Sequence, residues 1–265
     1  MDLLHALWLA LLQGLTEFLP ISSSAHLVLV PVLLGWPDQG LAFDVGVHVG
    51  TLLAVLAYFR GTVAALMADA FASLAQRRMV GEGPLAAALV VATLPVVVAG
   101  LLFGDLAEGA LRAPLVIAAA NIGFGLLLWV ADRRGGGTRS ELEFGLREAL
   151  WVGLAQALAI IPGTSRSGIT MTAGLFLGAS REGAARFSFL LAIPTIALAG
   201  AWQGLKLLEP SVPVEPVPLL LGLAVSAVSA YACIAAFLAL VRRIGMLPFV
   251  IYRVVLGGVL LVVFW

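Results

Sequence analysis

Between Gln13 and His26 the chain reads Q-G-L-T-E-F-L-P-I-S-S-S-A-H, so a carboxylate, an imidazole and three consecutive hydroxyls stand in an apolar setting. Ionisable groups at membrane depth are costly, and they are kept where they face a wet cavity or each other. Glu17 lies four residues after Gln13, so both share one helical face. Such an oxygen-rich pair can help hold a hard divalent cation with phosphate oxygens completing its shell. Alternatively, Glu17 can act as a general base. Ser23 and His26 are three residues apart, and a hydroxyl near an imidazole suits nucleophilic or acid–base work. The structural alternative is that Ser22, Ser23 and Ser24 only cap a helix and that His26 satisfies a buried carbonyl.

A second stretch, P-G-T-S-R-S-G-I-T from Pro162, complements the first. Gly163 permits a tight turn, and Thr164, Ser165 and Ser167 offer hydroxyls. A helix starting here would aim free N–H groups and its positive dipole end at an anion. Arg166 adds a permanently charged fork suited to phosphate oxygens. A bland reading also exists, in which this is a helix cap whose arginine pairs with Glu17. Together the two stretches suit phosphate chemistry, or phosphate transport, on a lipid-soluble substrate.

Pro20 would break a continuous helix, so one helix is expected to end near Leu19 and another to restart near Ser24. Non-helical backbone at membrane depth survives only when covered by protein or lining water. Residues 1–35 are therefore expected to form a re-entrant hairpin, each arm too short for a hydrocarbon core of about 30 Å. A second hairpin is expected over 150–180. Trp8 and Gln13 align with Trp151 and Gln156, and after a one-residue slip Pro20–Ser24 aligns with Pro162–Arg166. Phe43 onward aligns with Phe187 onward, and Pro114 and Pro248 each open the last apolar run of a half.

Composition places these elements in a bilayer. The chain is 62% hydrophobic and 11% charged, where a soluble domain carries about a quarter charged residues. Its net charge of zero gives no indication of nucleic acid, and its single cysteine, Cys233, excludes an intramolecular disulfide. Spans are predicted near 43–59, 84–104, 114–131, 187–204, 218–240 and 248–265, with a polar loop carrying Arg77 and Arg78 over 60–83. The fold class is thus an all-α polytopic membrane protein. It has six transmembrane helices and two re-entrant helical hairpins in an inverted-topology repeat. The chain forms one membrane domain: repeat 1 over about 1–131, a charged cytoplasmic linker over about 132–149, and repeat 2 over about 150–265.

Three spans per half invert the second half relative to the first. The linker, the 60–83 loop, Arg181, Arg186, Arg242 and Arg243 fall on one side, against Arg112 and Lys206 on the other. The arginine-rich side is then cytoplasmic, both termini are periplasmic, and the Glu17 hairpin enters from outside. Broken helices of inverted repeats that meet near the midplane form sites for charged ligands. Asp44 and His48 are candidates to line the same cavity, and His5 is expected at the interface. Arg253 is expected in a structural ion pair, Asn121 and Thr170 in helix–helix hydrogen bonds. Gly123, Gly125, Gly257 and Gly258 are expected to allow close helix approach, and a homodimer is expected from the glycine-rich spans.

The motifs E-F-L-P-I-S-S-S-A-H and P-G-T-S-R-S-G-I-T resemble the two signatures of the undecaprenyl-pyrophosphate phosphatase family, also called the bacitracin resistance proteins. The likeness extends over the whole chain, including R-F-S-F-L-L-A-I-P from Arg186 and P-F-V-I-Y-R from Pro248. It implies a multi-pass enzyme of the bacterial cytoplasmic (inner) membrane. That enzyme would hydrolyse undecaprenyl pyrophosphate to undecaprenyl phosphate and inorganic phosphate, recycling the lipid carrier of peptidoglycan synthesis and conferring bacitracin resistance. By the resemblance Glu17, Ser23, His26 and Arg166 are catalytic. Ser22, Ser24, Gly163, Thr164, Ser165, Ser167 and Thr170 would hold the pyrophosphate. A divalent cation, Mg2+ or Ca2+, is implied at Gln13 and Glu17. Gln13 stands where the family has Glu or Gln, and here it removes one negative charge. Ser23 attacking with His26 as its base, and His26 itself attacking, both stay open. The competing reading is a transporter or flippase of the phosphorylated lipid carrier that uses the same anion site.

Overall fold

The computed structural model describes residues 2–135, 137–208 and 214–265, apart from the side chains of Asp105 and Glu108. Among the described residues every long element is an α-helix, and the nearest thing to a strand is one parallel bridge between Arg139 and Ala179. In chain order the helices are α1 Leu3–Thr16, α2 Ser23–Leu34, α3 Leu41–Tyr58, α4 Arg60–Gln76, α5 Gly83–Glu108 and α6 Pro114–Gly135. They continue as α7 Leu146–Ala157, α8 Arg166–Phe176, α9 Arg181–Lys206, α10 Pro216–Ile244 and α11 Leu247–Phe264. Six of them, α3, α5, α6, α9, α10 and α11, are long and apolar enough to cross a membrane. They coincide with the six predicted spans.

The expected 60–83 loop is largely helix. Residues 60–76 are rich in alanine, leucine and methionine, which favour helix, and the polar residues at its ends concealed this. The loop shrinks to Arg77–Glu82, with Arg77 closing the helix at φ 51°. Ser73 and Asp69 then accept from the backbone N–H groups of Val80 and Glu82. The predicted linker is also shorter, because α6 continues to Gly135 and α7 already starts at Leu146. A capping box between Ser140 and Glu143 organises the residues between them.

Helix α10 packs along both α1 and α3, α5 along α7, and α6 along α11. Small residues allow the approach. Gly14 and Gly50 meet the Ser226–Ser229 segment of α10, Gly153 meets Ala92, and Gly257 meets Ala118 and Ile122. Of the other expected glycines, Gly125 faces Arg253, whereas Gly123 and Gly258 have open space beside them. The main core joins Phe18, Met171, Phe189, Leu190 and Phe237. Phe18 lies edge-on to Phe189 with ring centroids 5.2 Å apart. The residue after Glu17 is therefore anchored in the core.

Candidate active site

Two turns break helices in the middle of the bundle. In the first, α1 stops at Thr16 and α2 restarts at Ser23 behind Ser22, whose φ is 71°. In the second, α7 passes through a short 3-10 turn and Gly163 (φ 92°) to Ser165 (φ 69°), after which α8 begins at Arg166. Left-handed backbone at a non-glycine residue costs of order 1–3 kcal/mol and is kept where the surroundings enforce it. Each turn thus places one such serine immediately before its second helix. The residue that follows it is Ser23 in one turn and Arg166 in the other.

Those two residues meet at Glu17. Its Oε2 accepts hydrogen bonds from the Ser23 hydroxyl at 2.5 Å and from Gln13 Nε2 at 3.0 Å. Its Oε1 accepts from Arg166 Nη2 at 2.8 Å. The His48 Nε2 atom stands 3.9 Å from Oε2. Arg166 also donates to Ser188 O at 3.1 Å, and its guanidinium lies over the Phe18 ring. Thr170 steadies that arrangement, its hydroxyl lying 2.7 Å from the Ser188 hydroxyl and 2.9 Å from Arg166 O. Ser167 Oγ donates to Leu19 O at 2.8 Å, tying the start of α8 to the first turn. Ser165 Oγ accepts from Gly168 N–H and so acts as an ordinary cap.

Arg253 on α11 corrects one expectation. It is fully buried, and among the described residues it pairs with no carboxylate. Its guanidinium donates to Gly163 O and Thr164 O of the second turn at 2.9 and 2.8 Å, and to Asn121 O and Ala120 O of α6 at 3.2 and 3.4 Å. It also reaches Pro20 O of the first turn at 3.5 Å. Turn carbonyls released from helical bonding need donors when buried, and one guanidinium supplies them from both sides. Asn121 takes part through its backbone carbonyl. Its side-chain amide has no hydrogen-bond partner, contrary to the expected helix–helix bond.

His26 is buried on α2, but it does not contact Ser23 through a hydrogen bond. Its Nδ1 lies 2.7 Å from Ser22 O, and its Nε2 lies 2.5 Å from the Tyr252 hydroxyl. A Ser23–His26 hydrogen bond is therefore absent here, and the Ser23 hydroxyl donates to the Glu17 carboxylate instead. The helix spacing did bring the two residues to one face. Serine, however, turns back toward the preceding turn instead of along the helix.

The chain matches the family described as bacitracin resistance protein BacA over residues 6–259. It belongs to that family. Among its relatives is undecaprenyl-diphosphatase 2 of Stutzerimonas stutzeri, 58% identical over 100% of this chain and 99% of that protein. The undecaprenyl-diphosphatases of Nitrosococcus oceani and Campylobacter concisus are 56% and 55% identical, each over the full length of both chains.

The family's implied divalent cation can be tested against the donors present. Among the described residues no three His, Cys, Asp or Glu side chains cluster as a metal site. Gln13 Oε1, however, is buried without a partner next to the Glu17 carboxylate. One carboxylate and one amide oxygen fit a hard cation that takes its remaining ligands from substrate phosphates and water.

Other sequence candidates are scattered. Ser24 is exposed, with its hydroxyl 3.3 Å from that of Ser22. The Thr164 hydroxyl is buried without a partner, and Gly163 serves through its carbonyl and its left-handed φ. Asp44 accepts from Gln39 Nε2 at 2.9 Å, while its backbone carbonyl is 2.7 Å from His48 Nδ1. His5 stacks on Trp36 away from the site. Tyr252 and Ser188 escaped the sequence reading. Tyr252 precedes Arg253 in the closing P-F-V-I-Y-R segment, which was the available signal for it.

Proposed function

We infer that the protein is an undecaprenyl-diphosphatase, hydrolysing undecaprenyl diphosphate to undecaprenyl phosphate and inorganic phosphate. This reading rests on its full-length likeness to proteins of that name and on one geometric observation. A buried carboxylate holds a serine hydroxyl at 2.5 Å and an arginine fork at 2.8 Å. The product feeds the lipid-carrier cycle of peptidoglycan synthesis, and the same activity accounts for bacitracin resistance. A pure transporter has no need of a serine hydrogen-bonded to a buried base.

In the proposed mechanism Arg166 and the first N–H groups of α8 bind the diphosphate and stabilise the charge that develops. Ser23 Oγ attacks the terminal phosphorus and gives its proton to Glu17. The bridging P–O bond breaks, and undecaprenyl phosphate leaves. Glu17 passes that proton to the departing lipid phosphate and is again a carboxylate. Water then attacks the phosphoserine and gives its proton to Glu17, which returns it to Ser23 Oγ as the Ser23–phosphorus bond breaks and phosphate departs. His26 as nucleophile fits less well, since both ring nitrogens are already engaged. Ser22, Ser24, Gly163, Thr164, Ser165, Ser167 and Thr170 are proposed to line or support the diphosphate site. A bound Mg2+ or Ca2+ at Glu17 and Gln13 Oε1 would supply further charge neutralisation of the phosphates.

The finer membrane arrangement is part of the same proposal. The two broken-helix pairs are read as re-entrant hairpins of an inverted repeat, linked over about 132–149. The same interval separates Trp8 from Trp151, Gln13 from Gln156 and Ser22 from Ser165, whose φ angles nearly agree. That common interval supports a repeat whose register holds from the tryptophans to the serines, while Pro20 and Pro162 match with the one-residue slip. The packing of α1 on α10 and of α7 on α5 has the exchanged form that such a repeat requires. Charge asymmetry supports periplasmic termini and a site opening to the periplasm; labelling of a cysteine introduced near the N-terminus by an impermeant reagent in intact cells tests it. A homodimer is proposed from Gly200 and Gly204, four apart on α9 with open space beside them, and a monomer by light scattering would remove it.

The direct test is phosphate release from undecaprenyl diphosphate by purified protein in detergent, where transport has no meaning. Release is expected, with strong loss on Glu17→Ala and Arg166→Ala. No release from well-folded wild type would overturn the assignment in favour of lipid-phosphate transport.

A further inference from the structure

We propose that Tyr252 is a positioning residue for catalysis, fixing His26 as the Nδ1-protonated tautomer with Nε2 as its accepting atom. A carbonyl oxygen only accepts, so the 2.7 Å contact between Nδ1 and Ser22 O requires a proton on Nδ1. A neutral ring then carries its lone pair on Nε2, and the Tyr252 hydroxyl donates to it at 2.5 Å. Which nitrogen is free to accept is set by the bond the other one makes. The two rings are nearly parallel, inclined by 13°. Ala25 and Leu29, on the same helix as His26, belong to an apolar cluster with Ile117, Ala118 and Leu260. Tyr252 is accordingly the partner of Nε2 among the described residues.

The placement of Tyr252 is not incidental. Its neighbour Arg253 is buried and bound to the carbonyls of both turns, so one step of α11 registers His26 against the whole site. Tyr252 itself is 43% exposed, so its ring lies at the edge of the packed helices while its hydroxyl is held by His26. In the reverse tautomer Nε2 would carry an N–H, Nδ1 would face the Ser22 carbonyl with a lone pair, and the Tyr252 hydroxyl would have to accept instead of donate. Tyr252 thereby acts through His26, while Glu17 serves Ser23.

The inference rests on the hydrolytic reading, and its test separates the two. The chain has three histidines, so the imidazole nitrogens of protein labelled with 15N-histidine can be assigned with His5→Gln and His48→Gln variants. Wild type should show His26 protonated at Nδ1 and bare at Nε2 near neutral pH. Tyr252→Phe should lower kcat by about 10- to 100-fold, the usual cost of losing an orienting partner, with KM within about twofold. In the same variant His26 should become a tautomeric mixture while the melting temperature is kept. Tyr231→Phe, the same change away from the site, should alter neither. In a His26→Gln background Tyr252→Phe should cost little more, since both changes remove one unit. An unchanged kcat, a loss of kcat with an unchanged His26 tautomer, or an equal loss in the His26→Gln background would each overturn the proposal. A wild type that releases no phosphate would defeat the functional reading instead, and the nitrogen spectrum would still report on Tyr252.

Discussion

Arg166 and Glu17 lie far apart in sequence, and they meet at 2.8 Å where two broken helices face each other. Glu17 also accepts from Ser23 and Gln13 of its own segment, and Arg166 is the arginine that reaches it from the other turn. The pair is at once the charge balance of a buried carboxylate and the junction of the two halves. Removing the arginine therefore has two separable effects. Breaking a buried pair by deleting one partner costs about 3–5 kcal/mol, and losing a donor aimed at developing charge costs about 100- to 1000-fold in rate. Arg166→Ala should show both, as a lower melting temperature in detergent and a near loss of phosphate release. Arg166→Lys keeps the charge but not the fork that reaches Glu17 Oε1 and Ser188 O together. It should recover most of the stability and little of the rate. Wild-type turnover in Arg166→Ala would undo the site.

The 2.5 Å contact between Ser23 and Glu17 predicts which atom carries the phosphoryl group. Acid-quenched protein incubated with substrate labelled in the terminal phosphate should hold label on Ser23, and Ser23→Ala should hold none. Glu17→Gln removes the proton acceptor and should suppress labelling as well as turnover. Acid-labile but base-stable label, lost in His26→Gln, would assign the nucleophile to His26 instead.

Arg253 supplies donors to carbonyls of Pro20, Ala120, Asn121, Gly163 and Thr164. Each buried acceptor left unsatisfied costs about 1–3 kcal/mol. Arg253→Met should consequently be among the most destabilising single changes in the chain, and Arg253→Lys should be intermediate because a point ammonium cannot span both turns. Thermal unfolding measures this directly. Arg77→Lys, at an exposed helix end, should leave the melting temperature unchanged and serves as the control.

Much of this was legible before any coordinates. Six apolar runs gave six spans because bilayer length and hydropathy act on each segment independently of the others. Glu17, Ser23 and Arg166 were legible because charge and hydroxyls in apolar surroundings are costly enough to need a reason. Less was legible where the determining contact is long-range. Arg253 read as half of an ion pair because its acceptors are backbone carbonyls, which leave no mark on residue type. Ser23 and His26 shared a helical face, but the face did not reveal that the Ser23 hydroxyl turns to Glu17. α4 was missed because its polar ends outweighed the helix propensity of its alanines.

Gly14 tests whether helix proximity, and not chemistry alone, holds the site together. A Cβ on Gly14 would lie 1.9 Å from Ser229 Oγ, 2.7 Å from Ser226 O and 2.9 Å from Ala230 N. The hydroxyl could rotate aside, but the two backbone atoms of α10 cannot, so α1 must shift. Gln13, the adjacent residue, donates to Glu17, and the shift would pass directly to the carboxylate. Gly14→Ala should cost about 1–3 kcal/mol, as overpacking does, and reduce turnover without touching any group that contacts phosphate. Adding Ser229→Ala should not restore either property, because the backbone obstruction remains. Gly258→Ala has open space at its Cβ position and should be neutral or slightly stabilising, as alanine is in a helix. Full stability and activity in Gly14→Ala would mean that α1 and α10 are free to separate and that the position of Glu17 does not depend on their contact.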